Sequence, residues 1–402
     1  MTDTTTAARP AFTLRRHHAA VSAVDFNLDA TLMASADQHG HVVIWSTATF
    51  RPVRAWNAHP GRQILRVSFL NDTTLLTFGR GEALNVWDLD SEHQVATAGA
   101  AKGVLDEAVT AAPPLLAQMQ VLSGGLCGGD VIPISSDTTG ESHFLVALPS
   151  ADESGKFDLF LLRLNSSSDT TKGRFAPITR HCGHDPSQPI SFGMLLSLRW
   201  FHRTDPSLIT PWCLLAGYET GTVVTWGWRR TSDEEPRVRP PGRVPDPLAH
   251  VTVAPAGVPI TCAVPDRKAK VGVAGTASST IYFFELVPQD ASSVIVSPLN
   301  LPAAMTGTDD SKTGVHGLVF RADNKRIAVA SWSSGVHILS RNGKHMATLP
   351  CAVEGDAAVA FSPLLADTTT PAAPTASSWT LSAQQLLAAG TADGAVLLWR
   401  VR

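Results

Sequence analysis

Short apolar runs separated by polar turns recur along the chain. Residues 32–37 (LMASAD) and 42–45 (VVIW) flank one such turn, and residues 75–80 (LLTFGR) and 84–87 (LNVW) flank another. Each unit has the pattern of a buried strand, a tight turn and a second strand that ends on tryptophan. The two closing tryptophans lie 42 residues apart, so the pattern indicates a repeat.

The same unit can be aligned five more times. The residues that close the seven units are Trp45, Trp87, Phe160, Trp226, Phe284, Leu339 and Trp399. A repeat of about 42 residues that ends on tryptophan is typical of the WD40 blade, which is a four-stranded sheet. The sequence therefore predicts an all-β fold, a seven-bladed WD40 β-propeller.

The domain organisation follows from the spacing of these units. Residues 12–402 form one propeller, and residues 1–11 are expected to be a flexible tail. Because most gaps exceed the minimal blade, loop insertions are expected near 91–115, 165–190, 229–248, 287–312 and 364–382. The last unit lacks an outer strand, and residues 12–16, which precede the first unit, are in a position to supply it. We therefore expect the ring to be closed by this N-terminal strand pairing with the last blade.

Composition and charge narrow the range of functions. The chain has 402 residues, a net charge of −3 and no basic surplus, which argues against direct nucleic-acid binding. No apolar run reaches the length of a membrane span, and the N-terminus lacks an apolar signal core. The five cysteines are odd in number and widely spaced, so we expect free thiols in a reducing compartment.

Polar residues at fixed blade positions predict hydrogen-bonded relays that support the fold. In a WD40 blade an acidic side chain orients a histidine, which bonds a Ser or Thr hydroxyl and, through it, the tryptophan N–H. Blade two has Gly81 at the position of the acid, and blade seven has Thr391 but no evident histidine. The predicted relay residues are His18, Ser35, Asp37, Trp45, His59, Thr77, Trp87, Asp393 and Trp399.

No other cluster carries the signature of an enzyme, a cofactor site or a metal site. The run from His181 to His184 holds two histidines and one cysteine, fewer than a structural zinc site requires, and no second pair is nearby. Phosphate-binding glycine loops and hydrolase or metalloprotease motifs are absent from the sequence. The basic stretch 229–243 also contains three acidic residues, which favours a solvated, disordered loop. A contact with phosphate or an acidic partner is the alternative for that stretch.

Residues outside the repeat carry a resemblance to a known family. Residues 50–59 (FRPVRAWNAH), followed by Ile64-Leu65 and the segment 75–80, resemble the second blade of the ASTRA-associated protein 1 family. The animal relatives are called guanine nucleotide-binding protein β-subunit-like protein 1. Further segments similar to the family lie in the same order at 145–149, 157–160, 193–199, 215–221 and 321–332. Phe78, Gly81 and Ser333 depart from the family pattern.

The resemblance implies a non-catalytic nuclear scaffold, with a cytoplasmic pool left open. Fungal members are subunits of the ASTRA assembly, which is linked to chromatin remodelling and telomere maintenance. They act with the co-chaperone complex that matures PI3K-like kinases. By resemblance, the partners of this chain are those proteins, and the chain is a monomer within the larger complex. The candidate partner-binding residues are Arg51, Trp56, Arg80, Tyr218, Glu219 and Trp332.

Three other classes of protein are the alternatives to this scaffold. Substrate receptors of cullin-type ubiquitin ligases often carry W-D-x-R at a blade end, but the sequences that follow Trp87, Trp226 and Trp399 each miss the pattern by one position. An enzyme on a propeller would need convergent acids, bases or metals in the channel. A signalling G-protein β-subunit would need an N-terminal coiled-coil helix, for which residues 1–11 are too short.

Overall fold

The computed structural model of the chain is built entirely from β-strands and connections over the residues that it describes. These residues are 9–90, 111–134, 141–165, 173–183, 192–287, 296–301, 314–332, 335–351, 358–363 and 385–401. Within them, 28 strands form seven four-stranded antiparallel sheets. None of the described residues forms a helix long and apolar enough to cross a membrane. The seven-bladed propeller is confirmed.

The first four blades each consist of four consecutive strands. Blade one contains β2 (Val21–Phe26), β3 (Leu32–Asp37), β4 (His41–Ser46) and β5 (Pro52–Asn57). Blade two contains β6 (Ile64–Phe69), β7 (Thr74–Gly79), β8 (Ala83–Asp88) and β9 (Leu115–Gln120). Blade three contains β10 (Asp130–Ile134), β11 (Ser142–Pro149), β12 (Phe157–Leu164) and β13 (Gly173–Cys182). Blade four contains β14 (Leu195–His202), β15 (Trp212–Tyr218), β16 (Thr222–Gly227) and β17 (Asp246–Thr252).

The last three blades complete the ring. Blade five contains β18 (Ile260–Pro265), β19 (Val271–Thr276), β20 (Thr280–Glu285) and β21 (Val296–Asn300). Blade six contains β22 (Val315–Phe320), β23 (Arg326–Ser331), β24 (Gly335–Ser340) and β25 (His345–Leu349). Blade seven contains β26 (Val359–Phe361), β27 (Gln385–Gly390), β28 (Ala395–Val401) and, as its outer strand, β1 (Phe12–Arg15). All seven predicted closing residues lie on the third strand of a blade.

The ring is closed by the pairing of β1 with β28. The two strands run antiparallel, with Phe12 opposite Leu398 and Arg15 opposite Ala395. The backbone N–H of Ala11 extends the ladder by donating to the carbonyl of Leu398 at 2.7 Å. Leu14 is buried in the cluster between blades seven and one. The predicted closure by residues 12–16 is therefore confirmed.

The core consists of seven apolar clusters, each between two neighbouring blades. Between blades one and two, Trp56 packs edge-on against Trp87 with ring centroids 5.8 Å apart. Between blades three and four, Phe157 packs against Trp226 in the same manner. Because every blade contributes to two clusters, each blade is stabilised by both of its neighbours.

Several segments that were expected to be loops contain outer strands. The interval 165–190 includes β13, and the interval 287–312 includes β21. Both strands alternate half-buried and exposed residues, because the outer edge of a blade has no neighbour to cover it. The interval 91–115 reaches the start of β9, and its residues 91–110 lie outside the described residues. The intervals 364–382 and 1–8 lie outside them as well.

The propeller has two faces, which the alternation of antiparallel strands defines. Turns that join second to third strands, such as residues 38–40 and 80–82, lie on one face together with the connections between blades. We call this the upper face. Turns that join first to second strands, such as residues 27–31, and third to fourth strands, such as residues 47–51, lie on the other. We call this the lower face.

Candidate functional site

The relay in blade one is a chain of four buried side chains. The His17 ring lies with Nδ1 2.9 Å from Asp37 Oδ2 and Nε2 2.7 Å from Ser35 Oγ, and Trp45 Nε1 donates to Ser35 Oγ at 2.8 Å. An ionised carboxylate only accepts, so Nδ1 of His17 carries the proton and the serine hydroxyl donates to Nε2. The polar side-chain atoms of these four residues thereby have hydrogen-bond partners in the interior.

The histidine of this relay is His17, so the assignment of His18 was wrong. His17 is 8% exposed, whereas the His18 side chain is exposed to solvent. Neighbouring residues in an extended segment point in opposite directions, and only one of two consecutive histidines reaches the interior. The predicted Ser35, Asp37 and Trp45 lie in the chain of hydrogen bonds as described.

The environment of Asp37 gives the relay a structural role. Burial alone would raise the pKa of this carboxyl, but the hydrogen bonds that it accepts from His17 and from the backbone N–H groups of His41 and His39 hold it below its usual value. Its other oxygen accepts the backbone N–H groups of His39 and His41 at 2.9 and 3.0 Å. The Asp37 carboxylate therefore fixes the turn between β3 and β4. Because it is buried, a substrate could not reach it.

Blade two contains a second relay with a different acid. His59 Nε2 lies 2.8 Å from Thr77 Oγ1, which also accepts from Trp87 Nε1 at 2.9 Å. Glu82 takes the place of the expected aspartate, with Oε2 2.9 Å from His59 Nδ1. Burial lowers the pKa of the His59 imidazole, and the Glu82 carboxylate opposes that effect.

Glycines in the turn of blade two explain why the acid moves to the next position. Gly81 has a φ of 64°, in the left-handed region that favours glycine. A Cβ at Gly79 would lie 2.4 Å from His59 Nδ1, so the imidazole needs a glycine there. Glu82 directly follows Gly81 in the sequence, and this adjacency was the available signal for the acid of the relay.

In blade seven the predicted residues have separate roles. Asp393 accepts a hydrogen bond from Thr391 and forms an ion pair with Arg15 Nη1 at 3.1 Å. Arg15 is on β1, so this contact joins the two strands that close the ring. Trp399 is buried in the cluster between blades six and seven. Asp393 therefore supports the closure.

Two of the six candidate partner-binding residues are buried in the core. Trp56 is 2% exposed and packs against Trp87, and Tyr218 is 0% exposed. Tyr218 packs against Phe192, with ring centroids 5.2 Å apart. Neither side chain reaches the surface of the folded chain, so the prediction that they contact a partner was wrong. Both fell in segments of family likeness because they shape the blades.

The other four candidates are at least partly exposed, but they do not form one cluster. Arg80, Glu219 and Trp332 lie in turns between second and third strands of blades two, four and six, on the upper face. Trp332 is half-buried, and its ring would clash with any Cβ at Gly314. Arg51 is exposed on the lower face.

Arg80 supports an exposed apolar connection that sequence reasoning missed. Its Nε donates to the carbonyl of Gly124 at 2.9 Å, and the N–H of Gly81 donates to that of Ser123 at 3.1 Å. This connection joins blades two and three and presents Leu122 and Leu126, which are 70% and 57% exposed. Two leucines beside a glycine-rich segment, outside any strand pattern, were the signal in the sequence. We call Arg80, Leu122 and Leu126 the upper-face patch.

Glu219 makes a comparable contact two blades further on, in blade four. Its Oε2 accepts the backbone N–H of Met194 at 3.2 Å, and the N–H of Glu219 donates to the carbonyl of Met194 at 2.9 Å. Met194 is itself exposed, at 37% of its surface. The turn of blade four thus holds the connection from blade three in place. Glu219 therefore orders the surface as well as adding charge to it.

The described residues contain no group of three or more potential metal ligands. His184 lies outside the described residues, and Cys182 is buried at the end of β13. Burial raises the pKa of the thiols of Cys127, Cys182, Cys213 and Cys262 to about 12 and that of Cys351 to about 11. These cysteines are therefore protonated and poorly nucleophilic at neutral pH.

A charged bridge links the first strands of three blades. Asp130 at the start of β10 lies 2.5 Å from Arg66 Nη2 on β6 and 3.3 Å from Arg199 Nη1 on β14. It also accepts the backbone N–H of Trp200 at 2.7 Å. A buried carboxylate with three donors is satisfied, so the bridge fixes the relative position of the blades.

The class of protein is a WD40-repeat β-propeller. The family model "WD domain, G-beta repeat" matches residues 8–46. A crystal structure of the Myceliophteria thermophila Cps50 (Swd1) β-propeller domain superposes with a TM-score of 0.59, covering 98% of this chain and 99% of that one. The two are 15% identical, so this likeness supports the fold alone.

The particular relatives are proteins named ASTRA-associated protein 1. The one from Verticillium alfalfae is 24% identical over 89% of this chain and 79% of its own length, and the one from Penicillium rubens is 25% identical over 88% and 81%. The mouse "Guanine nucleotide-binding protein subunit beta-like protein 1" is 23% identical over 97% and 95%. The resemblance predicted from the sequence is confirmed: the chain is a WD40 propeller scaffold related to ASTRA-associated protein 1. Its fold and relatives point away from an enzyme.

Proposed function

We propose that this protein is a non-catalytic subunit of an ASTRA-type assembly in the nucleus. In this role it contributes to chromatin remodelling and telomere maintenance, and acts with the co-chaperone complex that matures PI3K-like kinases. The observation that carries the proposal is the likeness to proteins named ASTRA-associated protein 1 over 89% of the chain. A likeness of that extent includes the surface loops as well as the repeat.

The upper-face patch is the surface that we assign to a protein subunit of this assembly. Leu122 and Leu126 are large exposed apolar side chains in a connection that backbone and Arg80 hydrogen bonds hold in place. An apolar pair presented on an ordered loop and flanked by a cation suits a protein partner, because little conformational entropy is lost on binding. Glu219 adds a carboxylate on the same face.

Affinity purification of the tagged protein from its own cells, followed by mass spectrometry, tests the proposed function. We expect recovery of ASTRA-type subunits and of the kinase-maturation co-chaperone, and a fall in PI3K-like kinase levels on depletion of the protein. Recovery of cullin adaptors in their place would favour a ubiquitin-ligase substrate receptor. Recovery of neither set of proteins would contradict both functions.

A double substitution tests the surface separately. Leu122→Ser with Leu126→Ser is expected to lower the recovery of the subunits about tenfold while leaving the fold intact, since exposed substitutions cost little stability. Leu28→Ser is the matched control, because Leu28 is 65% exposed but lies on the lower face. Equal recovery with the double variant and the control would exclude this patch as the binding surface.

A further inference from the structure

Blade four has a groove on the lower face that none of the repeat positions uses. Its volume is about 380 Å³, and its lining residues are His202, Pro211, Trp212, Pro236, Arg237 and Val238. One wall is the connection between β14 and β15. The other wall is the segment 228–245 between β16 and β17, which we call the blade-four loop. A volume at the small end for ligand pockets suits a few side chains of a peptide.

The blade-four loop is held in place by hydrogen bonds, which corrects the expectation of a disordered loop over the basic stretch 229–243. Strand β17 occupies the end of the loop insertion expected at 229–248. The N–H of Arg237 donates to the carbonyl of Ile209 at 2.6 Å, and Trp228 Nε1 donates to the carbonyl of Arg243 at 2.9 Å. Arg243 is held in turn by an ion pair with Asp246 at 3.2 Å. The groove is therefore formed before any ligand arrives.

The floor of the groove is aromatic and proline-rich. The rings of His202 and Trp212 meet edge to face with centroids 5.3 Å apart, and Pro211 precedes the tryptophan. Pro236 and Val238 form the facing wall, and Val238 is 54% exposed. Grooves lined by aromatic rings and prolines accept extended peptides. A peptide that is already extended loses little conformational entropy on binding, and its proline or aliphatic side chains stack on the rings.

The charge of the groove selects an acidic ligand. Arg237 is exposed, and its guanidinium makes no hydrogen bond or ion pair with any residue that the structure describes. No carboxylate lines the groove. The nearby Glu234 accepts the N–H of Thr231 at 3.1 Å and lies 3.5 Å from Arg243, and the charges of both Arg243 and Arg237 also act on it. A carboxylate from a ligand would therefore meet an available arginine, which binds it through two parallel hydrogen bonds.

We propose that this groove binds an extended segment of a partner protein that places a proline or aliphatic side chain on Trp212 and a carboxylate on Arg237. The site is independent of the proposed role in an ASTRA-type assembly. It lies on the face opposite to the upper-face patch, so the two surfaces do not overlap. The blade-four loop is the specificity element, since it supplies both the cation and half of the apolar wall.

Fluorescence anisotropy with a defined probe tests the site on the full-length protein. The probe is a fluorescein-labelled peptide of sequence GPPLDDEG, and the matched peptide GPPLNNQG keeps its shape without its charge. We expect saturable binding of the acidic peptide that weakens with added salt, and about tenfold weaker binding of the neutral peptide. Arg237→Glu should weaken binding of the acidic peptide at least tenfold. Arg62→Glu, the same charge reversal at an exposed arginine of the upper face, should leave it unchanged.

A nitrogen-edited NMR spectrum locates the bound peptide. Trp212→Phe removes and thereby assigns one indole N–H resonance, and that resonance in the unsubstituted protein should shift as the acidic peptide is added. Absence of saturable binding, equal binding by Arg237→Glu, or an unmoved Trp212 resonance would each overturn the proposal. None of these outcomes bears on recovery of ASTRA-type subunits, so the two proposals fail separately.

Discussion

At the scale of single residues, the histidine relays of blades one and two differ in how strongly they stabilise their blades. The acid of blade one, Asp37, has a side chain that is 1% exposed, whereas the side chain of Glu82 in blade two is 36% exposed. A hydrogen bond to a buried ionised group contributes more to stability than one whose acceptor is also solvated. Blade one is therefore the more strongly organised of the two.

The two consecutive histidines provide a sharp test of the blade-one relay. His17→Ala leaves Asp37 buried without its partner and is expected to lower the free energy of unfolding by about 2–4 kcal/mol. His18→Ala removes an exposed side chain and should change it by less than about 0.5 kcal/mol. Urea denaturation followed by tryptophan fluorescence measures both. Equal effects of the two substitutions would contradict the assignment.

The sequence predicts which types of residue form the relays, but it does not identify every residue correctly. Ser35 and Asp37 could be placed because the turn between two strands fixes their spacing. The choice between His17 and His18 could not be made, since it depends on which way the segment before β2 enters the blade. Glu82 was missed for a related reason: the conformation of Gly81 decides which residue of the turn reaches the imidazole.

At the scale of elements, the short strand β1 makes the contacts that close the ring. It covers the edge of β28, buries Leu14 between blades seven and one, and pairs Arg15 with Asp393. An uncovered β28 would present a row of free N–H and carbonyl groups to other chains. The strand therefore both closes the ring and protects the protein from association.

Substitution of Leu14 tests the contribution of β1. Leu14→Ala is expected to lower the free energy of unfolding by about 2–3 kcal/mol, because it removes buried methyl groups and leaves a cavity. We also expect self-association during partial unfolding, measured by light scattering at rising urea concentration. Thr13→Ala, in the same strand but exposed, is the control. A soluble, fully stable Leu14→Ala variant would show that the closure does not depend on this side chain.

The second and third strands of each blade were predictable, whereas the outer strands β13 and β21 were not. The second and third strands are almost fully buried and stand out as continuous apolar runs. The outer strands β13 and β21 carry prolines and exposed polar residues because one edge faces solvent. Their composition is that of loops, and only the rule that each blade has four strands would have placed them.

At the scale of the whole molecule, seven separate clusters and the bridge through Asp130 connect blade to blade around the ring. Asp25 on β2 extends this connection, since its Oδ2 accepts the N–H of Phe69 at 2.8 Å. Desolvation raises the pKa of Asp25 from 3.8 to about 6, against the pull of that hydrogen bond and of the Arg66 charge. The folded protein therefore binds this proton more tightly than the unfolded chain does.

The raised pKa of Asp25 makes stability depend on pH. Between about pH 4 and pH 6 the folded state retains a proton that the unfolded state has lost, so this group makes stability fall as pH rises, with a constant penalty above pH 6. Asp25→Asn should remove this slope and raise the free energy of unfolding at pH 7 by about 1–2 kcal/mol. Urea midpoints from pH 4 to pH 7.5 measure it, with exposed Asp90→Asn as the control. An unchanged slope in Asp25→Asn would assign the pH dependence to other groups.

The pairing of β1 with β28 also has a consequence for synthesis. Blades one to six are built from strands that leave the ribosome consecutively, so each can form as soon as its own strands have emerged. The last blade needs the earliest strand and the latest one together. Any product that stops before residue 395 lacks β28 and leaves β1 without its partner, however many blades it contains. The pairing of the N-terminal strand thus reports whether translation has passed β28, and an exposed β1 marks a chain in which β28 has not yet been made.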